Sequence, residues 1–173
     1  MARCYDFLFA SQYVDTEPET WRLALDATAS TQDSWQAALA LMRFVYGYLT
    51  YSPGATTAHS HMRDALVKRA GVCQDFAHLM IGLCRSIQIP ALYVSGYLAT
   101  QDASATHAWT EIFIPPVGWI GLDPTHNRLA DGNYVKIAVG RDYGDVPPIS
   151  GCYRGTRDRK MQVDVHITPL PES

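Results

Sequence analysis

Three residues spread along the 173-residue chain could together do nucleophilic chemistry. Cys73 stands in "AGVCQDF", just past a glycine and where a helical pattern begins. His107 opens "HAWTEIFI", and Asp123 closes "GWIGLD". A reactive cysteine needs a thiolate, a base within hydrogen-bond reach, and a third group to orient that base. A helix N-terminus adds unpaired N–H groups and partial positive charge, which lower a thiol's pKa. The same N–H groups can meet a developing oxyanion. Asp75 pulls the other way, because a carboxylate in the first turn raises the thiol pKa unless it caps the helix or pairs elsewhere. The plain alternative is that Cys73 is core packing, since free cysteine is among the most buried residue types.

The elements that must position these residues follow from hydrophobic spacing. Residues 17–29 read as a helix with Pro18 near its start. Residues 33–49 read as a second, with Trp35, Ala38, Leu39, Met42, Val45, Tyr46 and Leu49 on one face. A short helix over 61–69 is ended by Gly71. Cys73 to Ile87 form a mostly buried helix, and Pro90 stops it. Strands are expected at 91–98, 106–114, 118–123, 134–140 and 161–168, with residues 1–16 irregular or extended. Helices first and antiparallel strands after argue for an α+β domain, a single one over 1–173.

Hairpin register decides whether His107 and Asp123 meet. Opposed residues in a hairpin have a constant index sum and point the same way. A three-residue loop at 115–117 gives a sum of 232, with Asp123 opposite Trp109 and diagonal to His107. A four-residue loop would put the two side chains on opposite faces. The pairing therefore requires an even register or a bulge, which Gly118 could supply.

Other candidates read as structural. His78 lies five residues after Cys73 and does not share its helix face. His59 and His61 lack a second pair at zinc spacing. His126 reads as a loop histidine, with a place lining the site as the alternative, and Cys84 reads as core. Trp109 and Trp119 read as core or site wall. Tyr51, after the second helix, reads as a packed ring, with a hydroxyl contact to an oxyanion as the functional alternative. "GRDYGD" lacks the lysine and spacing of a phosphate loop.

A hydrophobic content of 47% and 18% charged residues mark a globular chain. The net charge of −3 with no basic stripe argues against nucleic acid as a partner. No stretch approaches the ~20 apolar residues of a membrane span. "MARCYDFLFASQYV" is not a signal peptide, and four scattered cysteines without a CxxC read as reduced thiols in a cytoplasmic protein.

Three segments in order, "GVCQDFAHLMIGLCRSIQIPALYVSGY", "HAWTEIFIPPVGWIGLDPTHN" and "IAVGRDYGDVPPISG", resemble the bacterial transglutaminase-like superfamily. The resemblance covers roughly residues 40–152. It implies a papain-like core in which a nucleophile helix packs on an antiparallel sheet. It further implies Cys73 as nucleophile, His107 as base and Asp123 as its orienter, with Tyr51 and Trp109 near the substrate. It implies no metal or other cofactor, and the calcium control of some animal transglutaminases has no matching acidic cluster here. The N-terminal β-rich domain of larger relatives is expected to be absent. The implied substrate is a peptide or protein amide. Hydrolysis is favoured because water is always present and excluding it takes a dedicated acceptor channel. Amine transfer, which cross-links Gln to Lys, is the alternative, and a non-catalytic binding module is the third reading.

Overall fold

The computed structural model describes residues 2–99, 106–147 and 165–168. Helices α1 (Pro18–Thr28), α2 (Ser34–Tyr48), α3 (Met62–Lys68) and α4 (Cys73–Ser86) precede the main strands. Each helix start has a local cause. Pro18 sits in the first turn of α1. The Asp33 carboxylate accepts from Gln36 N–H at 2.8 Å. His61 and Asp64 form a reciprocal capping box on α3. Arg69, at φ 50°, ends α3 in the left-handed conformation.

The sheet has order β6-β5-β4-β3-β7, all antiparallel, from β3 (Ala91–Leu98), β4 (His107–Ile114), β5 (Gly118–Asp123), β6 (Arg128–Leu129) and β7 (Tyr134–Gly140). A small parallel pair, β1 (Thr50–Tyr51) with β2 (Ala70–Gly71), lies just before α4. These two-residue pairings and β6 carry no periodicity that a sequence reading could find. The N-terminal segment, expected as irregular, holds a 3₁₀-helix over Ala2–Leu8. Of the strand expected at 161–168, residues 161–164 and Cys152 lie outside the described residues, and 165–168 carry no strand.

The core lies between the helices and one sheet face. Phe76, Ala77, Met80, Ile81 and Leu83 of α4 pack in one cluster with Ala91, Tyr93, Ala108, Ile112 and Leu122. The opposite face carries a smaller cluster of Leu92, Val94 and Trp109.

The "GRDYGD" segment braces this arrangement. Buried Asp142 accepts from Tyr13 N–H and Gly144 N–H, each at 2.8 Å. Fully buried Arg85 near the end of α4 donates to the carbonyls of Phe9, Ala91 and Arg141. Tyr143 N–H donates to His78 Nε2 at 3.1 Å. One charged hub thereby ties α4, β3, the segment after β7 and the N-terminal segment together. His78 is structural: buried, stacked on Tyr13 at 5.8 Å, and pushed down to about 3 by burial.

Candidate active site

Cys73 is the first residue of α4 and is partly exposed. Asp75, in the same turn, turns back: its Oδ2 accepts Val72 N–H at 2.7 Å and the Thr56 hydroxyl at 2.6 Å. It therefore caps the helix, and burial raises its pKa. This answers the objection to an activated thiol, since the carboxylate is spent on the cap. Gly71 leaves room for it: a Cβ there would lie 2.5 Å from Asp75 Oδ2.

Every pair of the β4–β5 hairpin, from Thr110–Leu122 to Ile114–Gly118, sums to 232. The even register puts His107 and Asp123 on one face without a bulge. His107 Nε2 and Asp123 Oδ2 are 2.8 Å apart, with both side chains buried. Cys73 lies close enough to act on the His107 ring, whose Nε2 is taken up by Asp123. Burial pulls the imidazole down, but the bonds and charges of Asp123 and Cys73 outweigh it, and His107 is raised to about 9. Burial pushes Asp123 up, yet its donors hold it well below the usual carboxylate range.

Three residues that the sequence reading did not assign to the site surround Asp123. His126, read as a loop histidine, places Nδ1 at 2.7 Å from Asp123 Oδ2, and its backbone N–H reaches Oδ1 at 3.3 Å. The Tyr134 hydroxyl donates to the same Oδ2 at 2.7 Å and accepts from Arg128 Nε at 2.8 Å. Arg128 and Tyr134 belong to β6 and β7, the opposite edges of the sheet order. Their contact shows that the chain curls across the sheet end over Asp123. The one available signal was the short polar "DPTHNR" after Asp123.

Trp109 is buried, with its ring 6.1 Å from that of His107. Tyr51 corrects the packed reading: it is 55% exposed on β1, its ring 6.4 Å from Phe76, and burial together with the nearby Cys73 raises its pKa. Cys84 is buried core, its thiol pushed up to about 12. His107, Asp123 and His126 bring one ligand atom each within 4.8 Å of one another. Those atoms are bonded to one another through protons that a metal ion would have to displace. Among the described residues no helix is long and apolar enough to cross a membrane.

A helix-borne cysteine packed against an antiparallel sheet that carries His and Asp defines a papain-like, transglutaminase-like α+β protein. The sequence profile of the transglutaminase-like superfamily matches residues 22–124, and the chain belongs to that superfamily. It is 40% identical to an uncharacterised Mycobacterium tuberculosis protein over 140 residues, covering 73% of this chain and 45% of that one. It is 30% identical over 144 residues to a protein-glutamine gamma-glutamyltransferase of Pseudomonas aeruginosa, covering 73% of this chain and 22% of that one. A Cytophaga hutchinsonii protein provisionally classed as a cysteine protease superposes with a TM-score of 0.78 at 34% identity, over 85% of this chain and 50% of that one. The chain spans about half the length of the mycobacterial relatives it matches, 45% and 53%.

Proposed function

We propose that the protein is a cysteine-nucleophile enzyme acting on amide bonds of peptides or proteins, and that its reaction is hydrolysis. One observation carries the reading. Cys73 begins a helix within electrostatic reach of His107, and that ring is held from behind by a buried, ionised Asp123.

In this mechanism Cys73 Sγ attacks the amide carbonyl as a thiolate, and the first-turn N–H groups of α4 receive the oxyanion. His107 gives its proton to the departing amine as the C–N bond breaks, leaving a thioester on Cys73. Water then attacks the thioester carbonyl while His107 takes its proton, and the thiolate leaves. Asp123 keeps its charge throughout and holds the ring orientation. Tyr51, half exposed beside the thiol, and Trp109 against the His107 ring are proposed to line the acyl side.

The likeness to a glutamyltransferase favours a second reading in which an amine replaces water on the same thioester. The two separate on a glutamine peptide offered with a labelled primary amine. Release of ammonia or peptide cleavage without label supports hydrolysis, and label incorporation replaces that reading with transfer. A Cys73→Ala variant that retains either activity removes the nucleophile assignment altogether.

A further inference from the structure

Asp123 holds more donors than orientation of one imidazole requires. Oδ1 accepts the backbone N–H groups of Thr125 and His126, at 2.9 Å and 3.3 Å. Oδ2 accepts from His107, His126 and Tyr134, at 2.8, 2.7 and 2.7 Å. The Tyr134 bond is directional for a specific reason. A phenol has one proton, and Arg128 Nε, which can only donate, occupies a lone pair of the oxygen at 2.8 Å. The Tyr134 proton is thereby left for Asp123. The ring is fixed as well, with the Arg128 guanidinium over one face at 5.2 Å and the edge of Trp109 at 5.2 Å and 74°.

We propose that Arg128 and Tyr134 are a positioning relay that tunes His107 through Asp123, drawing off part of the carboxylate charge so that the imidazole pairs with the Cys73 thiolate yet still releases its proton to a leaving amine. The catalytic use of this tuning rests on the reading under Proposed function, whereas the relay itself does not. A hydrogen bond to a charged acceptor disperses its charge, and every further donor on Oδ2 weakens its hold on the His107 proton. Among the described residues, these groups act on the pair. They are Cys73 from α4, His126 from the turn after β5, Tyr134 from β7 and Arg128 from β6, with Asp131 acting on Arg128. Arg128 supplies formal positive charge at the far end of the relay, one phenol oxygen away from the carboxylate.

The test is a pH titration of the full chain labelled with ¹⁵N-histidine, the His107 signal being identified by its loss in His107→Gln. In Tyr134→Phe the His107 midpoint is expected to move up by about half a pH unit, roughly threefold in proton affinity. Arg128→Leu keeps the phenol but removes the orienting donor and the charge, and is expected to shift the midpoint in the same direction. The alkaline limb of turnover moves with it, in kcat and not in KM. An unchanged midpoint would show that Tyr134 only packs, and a downward one that it merely holds Asp123 in place; either overturns the proposal. Arg128 is partly exposed, so its variant decides the matter if the Phe variant does not fold. A Cys73 inert to iodoacetamide would remove the enzymatic reading and leave the His107 shift to stand or fall alone.

Discussion

His107 and Asp123 are sixteen residues apart in sequence and 2.8 Å apart in space, and they meet on a diagonal of the β4–β5 hairpin. Carried one step past Thr110–Leu122, the register sets Asp123 opposite Trp109. The carboxylate thus reaches sideways to the imidazole while Trp109 fills the direct position. The dependence of His107 on this one anion is the basis of the first expectation.

Replacing Asp123 by Asn keeps the shape but removes the charge. Burial of His107 then acts unopposed by that partner and pulls the imidazole down from about 9. The imidazolium that the proposed mechanism sets beside Cys73 should be lost around neutral pH. Labelling of Cys73 by iodoacetamide at pH 7 is expected to fall at least about tenfold, the equivalent of one pKa unit.

Cysteine selectivity gives a second expectation. Cys84 is fully buried with its thiol pushed up to about 12, and Cys4 is also buried. Cys73 alone of the three stands partly exposed at a helix start beside His107. Peptide mass spectrometry after brief alkylation near neutral pH should find Cys73 modified first, and His107→Ala should abolish its lead.

Acid sensitivity should trace to His78. Its folded-state pKa lies near 3, below the ordinary 6.5, so the unfolded chain takes up a proton that the folded chain refuses. Stability therefore falls as pH drops from 6.5 toward 3. His107 has the opposite sign: raised to about 9, its contribution is full below 6.5 and fades as pH rises through 9. Thermal melts should show highest stability between these flanks. His78→Gln keeps an acceptor for Tyr143 N–H, and it should flatten the acid flank even if its melting point is lower overall.

Asp142 should matter to stability and not to the thiol. Asp142→Ala strands two N–H groups, those of Tyr13 and Gly144. The expected loss is ~1–3 kcal/mol in a denaturant melt. The advantage of Cys73 over the other thiols in alkylation should survive in the folded variant.

Gly96 is the last expectation. It pairs with His107 across β3–β4, and a Cβ there would lie 2.1 Å from the Val135 carbonyl and 2.7 Å from Trp109 Cη2. Neither neighbour can move without disturbing β7 or the indole beside His107. Gly96→Ala should cost on the order of 1–3 kcal/mol, read in the same melt.

Much of this architecture is legible in the sequence because its signals are local. The β3, β5 and β7 spans coincide with the strands expected there, and α1, α2 and α4 fall within one residue of the expected helices at each end. Counting loop residues reduced the hairpin to two registers, and the even one, which puts His107 and Asp123 on one side, is the one the structure adopts. Cys73 at a helix start follows from Gly71 before it and periodic apolar residues after it. Bonds that form inside one element, or across one short turn, are dictated by neighbours in the chain.

What the tertiary structure decided is everything that arrives at Asp123 from elsewhere. His126 read as a loop residue because a turn has no period to show where its ring points. Arg128 and Tyr134 sit on strands at opposite edges of the sheet order, and only the curl of the chain over the sheet end brings one onto the other and both toward the carboxylate. Asp75 is similar: its position suggested a charge working against the thiol, and only the fold shows it turned back onto Val72 and Thr56. Residue types and spacing thus determined which groups could do chemistry and the register that a meeting of His107 with Asp123 requires. Burial and long-range convergence, properties of the packed chain and not of any segment, decided which donors surround the anion and how firmly His107 keeps its proton.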